Sequence, residues 1–260
     1  MTDQEIKKLT VKAKILGILT EIPTSCNHIC HLISKSKTEH ILLIPSDVEV
    51  LNDYNSFTPF SKQIQNLKGT LKVIGGSGLI NIQRMFRHSN LDYLDLSEFE
   101  TQNVKSMKNM FLNTNIKHIE FGEFNTSNVL SMDGMFSYCT TPNLDLSSFN
   151  ISKLENIHNM FLGCETTKLD LSNFGDSHVK DMEGTFKYCK TTYVNLCNFN
   201  TDCKVNLLET FAYSDIKEIN LANFNPTQFS SLMWTFSLCN ANIITSNKTL
   251  LNEIANSSKK

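Results

Sequence analysis

Cys26-Asn27-His28-Ile29-Cys30-His31 is the densest run of metal-ligating side chains in this 260-residue sequence, with His40 a short way downstream. Cys26 and Cys30, with His28 or His31, could contribute to a zinc site, which wants four nitrogen or sulfur ligands. The usual C-x2-C spacing is missing and no matching second pair follows, so a loop or element end without metal is expected. Gly75-Gly76-Ser77-Gly78 offers glycines that let backbone N–H groups approach a phosphate. It lacks the Lys-Ser/Thr pair of a nucleotide loop and no full G-x-G-x-x-G follows, so it reads as a structural turn. The seven histidines are scattered, and no Ser-His-Asp, Cys-His or paired-carboxylate arrangement emerges. No catalytic residue, cofactor or resident metal is therefore expected.

The elements that must hold these residues are set by a repeat. Phenylalanine recurs every 25 residues at 86, 111, 136, 161, 186, 211 and 236, and again at 99, 124, 149, 174, 199 and 224. A strand-like pair keeps the same step, from Leu94/Leu96 through Leu169/Leu171 to Ile219/Leu221. Three ladders in one register mark a repeat protein whose units bury their apolar faces by stacking. Alternation around Leu94-Asp95-Leu96 predicts a strand. Val104, Met107, Met110 and Phe111 have the spacing of a short helical face, with Thr101 or Asn103 placed to cap it. The predicted fold is an α/β solenoid, leucine-rich-repeat-like, with parallel strands on one face and short helices on the other, in about seven 25-residue units. Its parts are an N-terminal cap at 1–66, the solenoid at 67–246, and a cap helix with a tail at 247–260. Within the first part, Ile6, Leu9, Ala13 and Leu16 form a helical stripe. Ile41-Leu42-Leu43-Ile44 reads as a further strand, followed by an inserted loop over roughly 46–65.

The register separates scaffold from site. Cys139, Cys164, Cys189 and Cys239 share one position with Thr114 and Ser214, which marks a small packing slot where a free thiol is at home. Position 95 recurs as Asp95, Glu120, Asp145, Asp170, Asn195 and Asn220. In a parallel stack these lie about 4.8 Å apart, and adjacent like charges repel by roughly 1 kcal/mol in water. Two residues earlier, Tyr93, His118, Asn143, Lys168, Tyr193 and Glu218 vary strongly. An even column beside a variable one suits an open binding face. These twelve residues are the candidate partner-binding site; the alternative is solvated repeat consensus.

Leu144-Asp145-Leu146-Ser147-Ser148-Phe149-Asn150 and Phe124-Asn125-Thr126-Ser127-Asn128-Val129, running on to Met132, Met135 and Phe136, resemble the repeat of BspA-like leucine-rich-repeat surface proteins. The resemblance spans about residues 69 to 246 and is looser after 175, where the Met before Phe becomes Thr185, Thr210 and Thr235. It implies a ligand-binding, often adhesive, solenoid, frequently secreted or lipid-anchored.

Composition constrains the partner. A formal net charge of −2 lacks the basic stripe of a nucleic-acid binder. Acidic residues among the first five, and a short apolar run at 15–19, do not fit a secretory signal. No stretch approaches the length of a membrane span. A cytoplasmic protein with reduced cysteines is expected, and delivery into a host cell by another route is the alternative. The expected function is non-enzymatic protein binding through the strand face or the N-terminal cap, to a partner with a basic surface, as an intracellular regulator, an effector or a viral binder. Self-association through the end units is a further possibility on this reading. Lys7, Lys8, Lys12 and Lys14 beside apolar residues allow a membrane-surface contact. The other readings are an adhesive or structural surface repeat, and an enzyme or metal site within the first 65 residues.

Overall fold

The computed structural model describes residues 3–23, 29–51, 59–175, 177–224 and 228–257. It is a parallel β-solenoid of about seven turns. In chain order the elements are α1 (Asp3–Ile15), β1 (Leu19–Pro23), β2 (Ile29–Ser34), β3 (Glu39–Ile44), α2 (Pro59–Gln65), β4 (Thr70–Gly75), β5 (Asn90–Phe99) and β6 (Asn115–Glu120). Then follow β7 (Lys168–Asp170), β8 (Lys190–Asn195), β9 (Lys204–Asn206), β10 (Asp215–Leu221), β11 (Gln228–Ser231), β12 (Asn242–Thr245) and α3 (Lys248–Ser257). Strands β1 to β6 form one sheet in chain order, antiparallel as far as β3 and parallel beyond it. Strands β7, β8, β10 and β12 continue that side of the coils as a second, parallel sheet.

The return arms are not helices, which corrects the expectation of a short helix in each unit. Each is a run of overlapping turns: Met110 N–H bonds to Met107 O and Leu112 N–H to Asn109 O. Alternate N–H groups point along the solenoid instead, as in Asn109 to Asp133 O at 2.9 Å, Phe111 to Met135 O at 2.8 Å and Asn113 to Ser137 O at 2.8 Å. Two residues per arm adopt left-handed backbone, such as Asn109 and Asn113 at φ 54°, and a helix tolerates neither. A three-residue turn period buries Val104, Met107 and Met110 much as a helical face would, which is why the spacing misleads. An isolated arm this short would not nucleate a helix. Cross-coil bonding, at about 0.5–1.5 kcal/mol per net hydrogen bond, opposes the roughly 1–2 kcal/mol cost of each left-handed non-glycine.

The core is stacked in files. Successive phenylalanines from Phe86 to Phe236 lie 5.1 to 5.7 Å apart with nearly parallel rings. Thr185, Thr210 and Thr235 take the methionine position in the later coils, and their buried hydroxyls donate to Ile157 O, Met182 O and Leu207 O at 3.0 to 3.1 Å. The looser repeat after 175 therefore exchanges thioether packing for a satisfied cross-coil hydrogen bond. Cys139, Cys164 and Cys189 are buried in the slot assigned to them, and burial pushes all three thiols up.

Alternation splits the N-terminal sheet between two cores. Cys30, Leu32, Leu42 and Ile44 face the solenoid interior. Ile33, Leu43 and Ile74 face outward and are covered by Ile6 and Ala13 of α1. The helix thus lies on the outward strand face, with Leu16 beyond its end and 60% exposed. At the other end, Leu250 of α3 enters the main core.

Left-handed positions give a test of opposite expectations. Gly163 has φ 61°, and a Cβ there would meet the Tyr138 ring at 2.6 Å, whereas Leu238 occupies the equivalent turn position at φ 52° with 65% exposure. In urea unfolding, Gly163→Ala is expected to lose about 1–3 kcal/mol, and Leu238→Gly less than about 0.5 kcal/mol because relief of strain offsets glycine's chain entropy. Equal losses would contradict this account of the arms.

Candidate functional site

The strand face beyond α1 is open to solvent. All twelve residues singled out on it, from Tyr93 and Asp95 to Glu218 and Asn220, are exposed or half-buried. Parallel pairing brings them into cross-coil register: Tyr93 opposite His118, Asp95 opposite Glu120, Lys168 opposite Tyr193, and Asp170 opposite Asn195. Tyr93 and His118 stack at 4.9 Å between ring centroids, and Asn195 Nδ2 donates to Asp170 Oδ1 at 3.0 Å.

The position-95 column does structural work. Asp95 accepts the Ser97 N–H at 2.9 Å, Asp145 that of Ser147 at 2.9 Å, and Asp170 that of Ser172 at 3.1 Å. Asn195 and Asn220 accept from Cys197 and Ala222, and Glu120 from Gly122. Each side chain accepts the backbone N–H two residues further on and so fixes its own stretch of chain. A hydrogen bond to a charged acceptor contributes up to about 1.5–3 kcal/mol, more than the mutual repulsion even when discounted for solvent. Lys72 further neutralises the N-terminal end of the column, reaching Asp95 at 3.3 Å and Glu98 at 2.8 Å.

The pKa directions agree with that role. Partial burial works against ionisation of Asp95 and Asp170, but the Ser97 and Ser172 hydrogen bonds, with Lys72 and Asn195, outweigh it and lower both. Asp145 is lowered by the Ser147 N–H and hydroxyl, with help from Lys168.

Between β6 and β7 the sheet is interrupted. Thr192 N–H bonds to Thr167 O and Thr167 N–H to Pro142 O. The next rung would need an N–H on Pro142, which proline lacks. Among the described residues, the coil between forms no strand and is tied on this side by the Thr140–Glu165 bridge and by Thr140 N–H to Thr114 O at 2.8 Å. On the other side of that coil, towards β7, lies a depression of about 390 Å³ whose lining includes Asn143, Asp145, Lys168, Asp170 and Asn173. Four of these five belong to the singled-out columns or flank them directly. Pro142 and Asn173 escaped sequence reasoning, although a proline at a strand position is a readable signal. Asn173 is held by carbonyls of the preceding coil, Leu146 O at 3.0 Å and Phe149 O at 3.1 Å.

The N-terminal ligand run does not assemble among the described residues. Cys26 and His28 lie outside them. Cys30 and His31 are successive residues of β2, so they point to opposite sides of the sheet. Burial, then Asp47, pushes the Cys30 thiol up to about 12. Gly75 ends β4 and Gly76 donates its N–H to Ile44 O at 2.9 Å. That bond, and a contact of 2.3 Å from a Cβ on Gly75 to Ile44 O, show a glycine pair needed for close packing of backbone on backbone.

A family model described as "Mycoplasma protein of unknown function, DUF285" matches residues 80–199 and, overlapping, 163–248. Together the two matches span more than half of the chain. No curated protein and no solved structure matches it. No helix among the described residues is long and apolar enough to cross a membrane.

Acid titration tests the turn role. Because the folded-state pKa values of Asp95, Asp145 and Asp170 are lowered, their stabilisation is present above the unfolded value near 4 and is lost as pH falls through the folded values. Asparagine keeps the Oδ1 acceptor but not the charge. The triple Asp→Asn variant is expected to be nearly as stable as the parent at neutral pH and to lose less stability between about pH 4 and pH 2. An identical acid profile in parent and variant would exclude the charge-assisted turns.

Proposed function

We propose, for a chain that belongs to the DUF285 family, that its function is non-enzymatic recognition of another protein on the open strand face, centred on the depression beside Pro142. The observation that carries this reading is the break in an otherwise continuous sheet. Along the rest of the face the position-95 side chains are engaged by backbone N–H groups two residues on. At the break, Asn143, Lys168 and Asn173 flank a concavity bounded by the Asp145 and Asp170 carboxylates.

A surface of this kind suits a partner segment that presents amide groups and a basic side chain. The carboxylates accept from Arg or Lys, and the asparagines pair with backbone or amide groups. The wall is preorganised, since Asp145 and Asp170 are fixed by their own turns, so little ordering cost falls on this side. Solenoids generally present such extended surfaces. The acidic half of the column steers a basic partner and makes association salt-sensitive.

The test is affinity capture from the native cell or its host with the parent chain and with Asn143→Arg and Lys168→Glu, both exposed substitutions. One stoichiometric protein partner is expected with the parent. Asn143→Arg is expected to weaken it at least tenfold by filling the concavity. Lys168→Glu is expected to alter its salt dependence. A partner retained equally by both variants would place recognition elsewhere, and capture of glycan or matrix alone would favour the adhesive reading.

A further inference from the structure

Among the described residues, the coils keep one length at the corner between strand side and return arm except at one place. Buried Thr101 and Val104 enclose two residues there, as do Thr126 and Val129, and Ile151 and Leu154. In the next coil, buried Ser177 and Val179 enclose His178 alone. In the one after, buried Thr201 and Val205 enclose Asp202, Cys203 and Lys204. A short corner therefore lies against a long one. They are tied together from both sides: Ser177 Oγ donates to Asn200 O at 3.0 Å and Thr201 Oγ1 to Val179 O at 2.8 Å.

The mismatch gathers three ligand types. His178 Nδ1 lies 2.9 Å from Asp202 Oδ1, and Cys203 Sγ donates to the same oxygen at 3.3 Å. One ligand atom from each of the three falls within 4.8 Å of the others. Four-coordinate zinc, with bonds of about 2.0–2.3 Å, holds its ligand atoms about 3.3–3.8 Å apart, so small rotamer adjustments suffice. His178 and Asp202 have side chains 57% and 66% exposed, free to make them. Lys180, the neighbouring cation, is engaged by Glu155 at 2.6 Å. Cys203 also stands apart from the buried sulfur ladder: it is half-buried and belongs to no repeat position shared by the other cysteines.

We propose that His178, Asp202 and Cys203 form a site for one divalent transition-metal ion of the zinc class, with the remaining coordination position open to solvent. The ligand set decides the class. A thiolate with an imidazole and a carboxylate favours zinc or cobalt over magnesium and calcium, which take oxygen ligands. Binding releases the Cys203 thiol proton to solvent, so acid competes with the metal. The site is on a corner of the solenoid and does not depend on the strand face.

The experiment is titration of the full metal-free chain with Co2+ alone, followed by displacement with Zn2+. The expected result is one equivalent bound, with thiolate-to-cobalt absorption in the near ultraviolet and visible bands of a four-coordinate ion. Cys203→Ser should abolish the near-ultraviolet absorption, and His178→Ala should weaken binding at least about tenfold, a change no smaller than loss of an outer-sphere partner causes. Cys197→Ser, a cysteine outside the corner, should leave both unchanged. Far-ultraviolet circular dichroism of each variant checks that the coils remain folded. Absence of a stoichiometric cobalt complex would overturn the proposal. So would bands that persist in Cys203→Ser, or that vanish only when Cys26 or Cys30 is replaced.

Discussion

Lateral hydrogen bonding between successive return arms is the constraint on which the rest of this structure depends. An N–H in one coil meets a carbonyl 24 residues further on, as Phe136 meets Met160 O and Phe161 meets Thr185 O, both at 2.8 Å. Once that spacing is imposed, the ladder side chains of each coil sit above their repeat equivalents. The phenylalanine stack, the sulfur slot and the cross-coil threonine hydroxyls all follow from the same translation. Left-handed backbone at two positions per arm is the local cost, and non-glycine residues as large as Tyr138 and Trp234 accept it. Coupling between neighbours rather than intrinsic preference holds each coil, as expected of quasi-one-dimensional proteins.

The same translation governs charge. Lys108 contacts Asp133, Lys180 lies 2.6 Å from Glu155, and Lys190 lies 2.5 Å from Glu165, each across one coil. Opposite charges one period apart are neighbours, so ion pairs can be laid out by repeat position alone. On the strand face the acidic column escapes self-repulsion differently. Its members are anchored inward on the N–H groups of their own turns, and the residues two positions earlier are left to face outward. The open face is therefore a rigid frame carrying variable side chains.

Regularity makes departures conspicuous. Pro142 removes a rung on one side of its coil, and a concavity lies on the other side. The unequal corners around His178 and Cys203 bring together groups that even coils would keep apart. Each departure changes the backbone in one or two coils only, because the neighbouring ladders hold register on either side.

The period, the identity of the core residues and the sidedness of the strand were legible in the residues alone, since a recurrence of 25 can be satisfied only by stacking like upon like. The cysteine ladder was legible for the same reason: a slot shared by Cys, Ser and Thr has to be small and buried. The form of the return arm was not. Met107, Met110 and Phe111 fit a helix and a run of turns equally well by spacing, and the choice rests on carbonyls 24 residues away. Nor was the placement of α1, because Ile6 and Ala13 need an apolar partner but do not say which of the available faces supplies it. The convergence of His178 with Asp202 and Cys203 was hidden too. It arises from two neighbouring corners, one a residue shorter and one a residue longer than the rest, which have no consequence until the coils are laid side by side.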